Sequence, residues 1–600
     1  MSAVTRDMTT LAVLANRVDT IVREMENTVF RSGRSAVLNM GRDFSCGLVT
    51  GDGRLLAWAE GLPIHVGGMD FLAQSMSELH PDLALGDAFL HNDPYLGNSH
   101  SADHAILVPI FVDDEHVFTA VVKAHQADCG NALPTTYSIT ARDIYEEGAL
   151  NFPCVRVQRE YREIDDIVRM CRRRIRVSDQ WYGDFLAILG AARIGERRVR
   201  ELVATHGLET IRWFVDEWFA YSERRVVAAI SELPKRRIIG RGTHDPIDVV
   251  PEGIPLQAVI DIDPNGGFID VDVTDNPDCV PAGLNLSRAT AVASVLLGVF
   301  NCLDPSLPHN DGSFRRIRIQ LRENCIVGGP RFPASCSVAT TNVAERMVNL
   351  IQAAFAELGE GFGLAEGNVG SAPGYAVISG TDPRRDDAPF INQLVGGGGG
   401  GPAGASSDGW LTYVQSVAAG LVYRESIEVL EEKYPIRFDD VRVWIDSEGA
   451  GRQRGASGLR MAYRPVDTEM TAIYQGDGHF HPPAGVRGGG SAAPAGAIRL
   501  HADGSEENMA AEGAPVLAVG EGIVGLQSGG GGYGDPLDRD PELARRDVLR
   551  CWISPERARD IYGVVFAGQA LDESLAVDVP ATQEARARLR DERDKKGELV

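Results

Sequence analysis

The sequence predicts an α+β fold: a large multi-segment chain whose N-terminal part is rich in β-hairpins, whose centre is helical, and whose C-terminal half is glycine-rich and strand-rich. Three observations carry that reading. Apolar residues recur at steps of three and four in some stretches and alternate with polar residues in others, the two periods of helix and strand. Asp, Gly and Pro turn signals punctuate the alternating stretches. Glycine makes up 66 of the 600 residues, against an average near 7%, and much of it sits in three runs: Gly396 to Gly401, Gly488 to Gly490 and Gly529 to Gly532.

In chain order, Leu11, Leu14, Val18, Ile21, Met25 and Val29 mark an amphipathic helix, with Thr9 or Thr10 as its cap. Asp43 to Thr50, the turn Gly51-Asp52-Gly53 and Arg54 to Glu60 read as a hairpin, because Asp-Gly supplies the positive φ such turns need. A second hairpin runs from His104 to Val112, turns at Asp113 to His116 and returns along Val117 to His125. From Glu160 to Leu233 the chain reads as helical, with Pro234 as the stop. The arginines Arg172, Arg173, Arg174 and Arg176 there fit a solvated face or a subunit contact. Strands are expected over about 240–280, helices over Leu284 to Phe300 and Ala344 to Ala356, glycine-rich strands from about 385 to 535, and a charged helix from Ala581. The expected segments are 1–159 (α+β), 160–235 (helical), 236–385 (α/β), 386–579 (glycine-rich, β-rich) and 580–600 (charged tail). No regular repeat appears.

Composition narrows the function. With 44% hydrophobic and 24% charged residues the chain is of ordinary globular type, and its length suffices to fold without disulfides or metal. A formal charge of −25 argues against a grip on nucleic acid or an anionic membrane. The longest apolar run, Ala291 to Phe300, is half of the roughly 20 residues a spanning helix needs. Nine cysteines without a CxxC pair read as reduced thiols. The first residues lack the apolar core of a secretory signal, so a cytoplasmic location is expected. Cys129, beside Asp128, is the one thiol worth testing as a nucleophile.

Five of the 13 histidines (His91, His100, His104, His116 and His125) fall between positions 91 and 125. With the second turn at Asp113 to His116, His104 faces His125 and Asp103 faces Gln126, while His100, Ser101 and Asp128 continue at the same end. Opposed Cβ atoms lie about 4.5–5.5 Å apart, within reach of one shared ion. Imidazoles with one or two carboxylates suit Zn²⁺, Mn²⁺ or Fe²⁺. The opposing reading is a set of strand-end polar residues hydrogen-bonded to loops. The register decides between them, since a one-residue slip turns every side chain over.

Several segments then resemble a known family. They are Arg42-Asp43-Phe44-Ser45-Cys46, Pro63-Ile64-His65-Val66-Gly67, Asn92-Asp93-Pro94-Tyr95-Leu96-Gly97-Asn98-Ser99-His100, Ala124-His125-Gln126-Ala127-Asp128 and Ile144-Tyr145-Glu146-Glu147-Gly148. The C-terminal half adds Asp446-Ser447-Glu448-Gly449-Ala450-Gly451-Arg452 and Gly529-Gly530-Gly531-Gly532-Tyr533-Gly534-Asp535-Pro536. Together, in this order, they resemble the hydantoinase B/oxoprolinase family, which includes subunits of ATP-dependent hydantoinases, half of oxoprolinase, and subunits of acetone and acetophenone carboxylases. Two departures stand out. Where the family usually has His-His and Gly-Gly, this chain has His125-Gln126 and Gly130-Asn131.

The resemblance implies a divalent metal (Zn or Mn, or Fe) held by Asp43, His100, Asp103 and His125. It implies catalytic or supporting roles for Asp93, His104 and Asp128, and substrate contacts for His65 and Gln126. It prefers His100 over the His104 that the hairpin geometry favours. It also implies a hetero-oligomer with a hydantoinase A-type subunit that uses ATP to phosphorylate the substrate's carbonyl oxygen; this chain itself has no GxxxxGK[ST] loop. Phosphorylation removes the amide resonance that makes a lactam or hydantoin carbonyl a poor electrophile, and water then attacks in the B-type site. The expected activity is therefore hydrolysis of a cyclic amide, with a ketone carboxylase or a non-catalytic scaffold as alternatives. The run Gly396 to Gly401 has two readings: a phosphate cradle of backbone N–H groups, or tight turns and close backbone approach.

Overall fold

The structure is a computed structural model that describes residues 6–59, 61–420, 422–568 and 572–596. Glu60, the expected end of the first hairpin, lies outside the described residues. The chain is α+β, as the sequence predicts, and its sheets are predominantly antiparallel. Among the described residues no helix is long and apolar enough to cross a membrane.

The N-terminal sheet has seven strands: β1 (Phe44–Thr50), β2 (Leu55–Ala59), β3 (Ala88–His91), β4 (Asp103–Val112), β5 (Glu115–His125), β6 (Val155–Arg159) and β7 (Arg162–Glu163). Their spatial order is β2-β1-β5-β4-β3-β6-β7, with every neighbouring pair antiparallel. Strand alternation sends Ile106, Val108, Ala120, Val122 and Ala124 to one face, against helices Met8–Ser32 and Ser178–His206. Ala105, Leu107 and Val121 go to the other, against helix Met69–Leu79. The sheet is thus apolar on both faces, and polar side chains on it are costly unless paired.

Three expectations need correction. The first helix spans Met8–Ser32 and is capped by Asp7, whose carboxylate accepts from the Thr10 N–H, not by Thr9 or Thr10. The stretch from Glu160 is not helical at its start: Glu160 and Tyr161 take left-handed φ values and turn the chain into β7. Helices then cover Asp165–Arg174, Ser178–His206 and Leu208–Ser231. Third, the β4–β5 turn lies one residue earlier than expected. Asp113 and Asp114 occupy its two central positions with φ of 50° and 64°, as a two-residue hairpin turn requires. An irregularity at Ile110/Phe111 then shifts the pairing again, so that Asp103 faces His125 and His104 faces Ala124.

Beyond the helices, β8 (Arg236–His244), β9 (Ile254–Asp263), β10 (Phe268–Asp272) and β11 (Ile317–Gln320) form a second sheet in the order β11-β10-β9-β8. Two helices belong to the same apolar core, Arg288–Phe300 and Val343–Phe355. Their ends lie within a few residues of the expected ones, and Ser287 caps the first. Further sheets occupy the C-terminal half, and a helix spans Val579–Lys596.

The glycine runs are not strands. Extended segments around residues 396–404, 447–458, 484–490 and 527–534 lie side by side, tied by backbone bonds such as Gly400 N to Ser528 O (2.9 Å), Gly530 N to Ala456 O (2.9 Å), Gly531 N to Glu366 O (2.8 Å) and Gly532 N to Gly490 O (3.0 Å). A Cβ on Gly530 would sit 1.9 Å from the Gly401 carbonyl oxygen, and one on Gly400 2.0 Å from that of Ala456. At Gly400 and Gly530 close backbone approach, not positive φ, is what demands glycine, whereas Gly488 takes a φ of 88°. Within the first run the amides of Gly397, Gly400 and Gly401 are already spent on the carbonyls of Gly374, Ser528 and Trp410.

Candidate metal centre

Three adjacent strands present one row of side chains. Phe44 pairs with Ala124, so Asp43, just before β1, stands beside His125, whose N–H donates to the Asp43 carbonyl at 3.0 Å. His125 in turn pairs with Asp103. Arg42, at φ 57°, turns the chain into β1, and its guanidinium is fixed between the rings of Phe30 and Tyr423, 4.2 and 4.1 Å from their centroids.

Two loops add imidazoles to this row. His65 ends the short 3-10 turn Pro63–His65. The chain after it lies flat on helix Arg288–Phe300, since a Cβ on Gly67 would sit 2.5 Å from the Ala293 methyl. His100 lies in the loop before β4, which buried Asn98 clamps by donating to the carbonyls of His100 (2.9 Å) and Asp103 (2.8 Å).

All five side chains are buried. Asp103 is the hub. Its Oδ1 meets His100 Nε2 at 3.0 Å and His125 Nδ1 at 3.2 Å, and its Oδ2 meets His65 Nε2 at 3.2 Å and accepts from Ser99 Oγ. His65 Nε2 also lies 3.6 Å from Asp43 Oδ1. The outer nitrogens are held as a ligand set requires. His100 Nδ1 lies 2.8 Å from the Ser337 carbonyl, which makes that nitrogen the N–H donor and turns the lone pair of Nε2 inward. His125 Nε2 meets Thr136 Oγ1 at 3.0 Å, and the His125 ring stacks on Tyr137 at 5.2 Å. Glu147, buried and bonded to Ser335 Oγ at 2.9 Å, braces the loop that carries Ser337.

The residues fit a cation. Ligand atoms of His100, Asp103 and His125 lie within 4.8 Å of one another. The inward His100 nitrogen and the Asp103 oxygen it meets are both acceptors, and two acceptors face one another stably only with a positive charge between them. Asp43 Oδ1 is buried without a hydrogen-bond partner, as is His65 Nδ1. Without an ion, protons must do the joining. Burial disfavours the Asp103 charge, yet the surrounding imidazoles hold its carboxyl well below the usual range. Burial likewise opposes the His100 imidazolium, yet Asp103 raises it above the ordinary value. Asp43, with weaker compensation, is pushed up by burial and by the charge of Asp103.

The structure thus brings Asp43, His100, Asp103 and His125 together and adds His65 to them. It does not bring the other expected residues to the cluster. His104 points to the opposite face of β4, where its Nδ1 accepts from Trp181 Nε1 at 3.2 Å and burial pushes its pKa down to about 3. Asp128 caps the Gly130 N–H (3.0 Å) and pairs with Arg176 (3.1 Å). Asp93 caps a short turn through the Tyr95 N–H and takes a bond from Asn151 at 3.2 Å. Gln126 is buried and donates to the Ala124 carbonyl at 3.1 Å. Burial pushes the Cys129 thiol well above its ordinary value, which rules against a thiolate. Sequence reasoning missed Lys123, Ser99, Thr136, Tyr137 and Ser337. Lys123 alone carried a signal, since a residue two before His125 on one strand shares its face.

The fold and this cluster agree with the comparisons. The hydantoinase B/oxoprolinase family model matches residues 7–536, and the chain belongs to that family. Among its relatives, the caprolactamase subunit beta of Pseudomonas jessenii is 28% identical over 95% of this chain and 98% of that protein. The acetophenone carboxylase delta subunit of Aromatoleum aromaticum is 24% identical over 97% of this chain and 89% of its own length. The crystal structure of the ATP-dependent caprolactamase from Pseudomonas jessenii superposes with a TM-score of 0.85 at 27% identity, covering 97% of this chain and 99% of that one.

Proposed function

We propose that this chain is the metal-bearing catalytic subunit of an ATP-dependent hydrolase of cyclic amides (a hydantoin, oxoproline or a lactam), acting with a hydantoinase A-type subunit that phosphorylates the substrate's carbonyl oxygen. One observation carries the reading: three imidazoles and two carboxylates converge in a buried place, with ring nitrogens aimed inward and an unmet Asp43 oxygen. The likeness to a caprolactamase beta subunit supports both the amide substrate and the need for a second subunit. Nine unpaired cysteines fit a cytoplasmic location.

Asp43, His100, Asp103 and His125 would hold the ion, of which Zn²⁺ and Mn²⁺ best match the donor set and Fe²⁺ is the next fit. When bound, such an ion polarises a carbonyl or phosphoryl oxygen and brings the pKa of water towards neutrality. The protein does the rest. Ser337 and Thr136 fix the outward nitrogens of His100 and His125, so the ligand rings cannot turn. His65 Nε2 lies between the two carboxylates, and its Nδ1 has no hydrogen-bond partner. Burial of all five side chains keeps bulk water from the reacting group.

A ketone carboxylase subunit is the second reading, favoured by the likeness to the acetophenone carboxylase delta subunit. One experiment separates them. The chain is purified with its A-type partner, its metal content measured, and ADP release followed with hydantoin, oxoproline and caprolactam, then with acetone and acetophenone plus bicarbonate. ADP release with a cyclic amide and about one divalent ion per chain supports the hydrolase. Release with a ketone and bicarbonate alone supports the carboxylase. Full turnover by a metal-free complex after Asp43→Ala or His125→Ala would leave only a scaffold.

A further inference from the structure

Behind the row Asp43–His125–Asp103 lies a second row on the same face of the sheet: Ser45 on β1, Lys123 on β5, Ala105 on β4 and His91 on β3, paired in that order. Lys123 is fully buried. Its Nζ donates to Ser99 Oγ at 3.4 Å and, among the described residues, makes no ion pair. Ser99, also fully buried, donates its own hydrogen bond to Asp103 Oδ2. The neighbouring His91 offers no counter-charge, since its Nδ1 accepts from the Asp93 N–H and its Nε2 is unmet.

An ammonium held out of water with no carboxylate in direct contact, and only Asp103 and Asp70 acting on it from farther off, is a burden on the fold. A methionine in the same space would bury as much apolar surface without that penalty. Its place, one serine away from the hub of the cluster, gives the amine something to do. We propose that Lys123 is a positioning residue: it orients the Ser99 hydroxyl, which in turn fixes the second oxygen of Asp103 and so sets the geometry of the cation site. The proposal rests on the metal-centre reading above and adds to it a lysine–serine–aspartate chain.

The test measures Zn²⁺ affinity by chelator competition on the full chain in its complex, together with the thermal midpoint of the metal-free protein. Partners that orient a ligand typically change affinity 10–100-fold when removed, so Lys123→Met and Ser99→Ala should each weaken Zn²⁺ binding by about that factor. The double variant should be no weaker than the worse single, because both act along one chain, and Ser99→Thr, which keeps the hydroxyl, should restore binding. Removing a positive charge beside a dication would by itself tighten binding, so a loss reports lost orientation and not lost charge. The metal-free Lys123→Met protein should melt at or above the wild-type midpoint. Wild-type Zn²⁺ affinity in Lys123→Met, a double variant that multiplies the two losses, or a Lys123→Met chain that melts earlier or fails to fold would each overturn the proposal. A wild-type protein that takes up no Zn²⁺ would instead remove the metal centre itself.

Discussion

Gly530→Ala tests whether the glycine runs are packed core or ligand loop. The added Cβ would sit 1.9 Å from the Gly401 carbonyl oxygen and 2.5 Å from its carbon, where ordinary contact begins at 3.4 Å. The two segments must therefore part by about 1.5 Å. The bonds Gly530 N to Ala456 O, Gly449 N to Gly530 O and Gly400 N to Ser528 O are 2.8–2.9 Å long, and a stretch of about that size breaks N–H···O geometry. Each buried group left unpaired costs about 1–3 kcal/mol, so with one such group per bond the loss is of order 3–9 kcal/mol, a large share of the roughly 5–15 kcal/mol that holds a domain together. Urea and thermal unfolding of the purified chain provide the assay. Gly190→Ala is the control: this glycine lies inside helix Ser178–His206 with open space where its Cβ would go, so alanine should gain about 0.5–1 kcal/mol. A Gly530→Ala protein within about 1 kcal/mol of wild type that has lost ATP-linked turnover would refute the packing argument and revive the phosphate-cradle reading.

The other predictions concern the site and its surroundings. Asp43→Ala and His125→Ala should retain the fold but lose the ion and at least about 100-fold in turnover, read by elemental analysis and ADP release. Asp128→Ala should leave metal content unchanged while lowering stability by about 1–3 kcal/mol, because the Gly130 and Arg176 N–H groups lose their acceptor; loss of the ion instead would put Asp128 in the centre. Burial pushes the Glu345 carboxyl from 4.5 up to about 8. The folded chain thus keeps a proton that the unfolded chain releases, and the associated stability falls as pH rises from about 5 through 8. Glu345→Gln should therefore gain on wild type with rising pH, by up to about 1.4 kcal/mol per unit; a pH-independent difference would contradict the burial argument.

Much of this molecule was legible where a pattern had a single period. The helix Met8–Ser32, the β1–β2 hairpin and the helix Val343–Phe355 follow from spacing and turn residues within a few positions. What periodicity could not give was the effect of residues that break it. Glu160 and Tyr161 turn the chain at left-handed φ values that side-chain polarity does not announce. The glycine runs carry no side-chain pattern, and their role appears only when the four segments are seen against one another.

The site shows the same division more sharply. Counting inward from the turn at Asp113 to His116 predicts His104 opposite His125, and in the real hairpin Asp103 stands there. That one-residue difference exchanges the faces of β4, and the exchange decides the chemistry. With His104 facing His125 the cluster would hold imidazoles and lack its central carboxylate. With Asp103 there, a single carboxylate reaches His65, His100 and His125 at 3.0–3.2 Å, and His104 is left to pack against Trp181. The two-residue turn Asp113-Asp114 moves the pairing by two residues from the expected register and the irregularity at Ile110/Phe111 takes one of them back. Neither lies near the site, yet together they determine which of two adjacent polar residues is turned inward. Residue types could name the candidates and the family resemblance could choose among them, but the physical reason for the choice lies in the geometry of a distant turn.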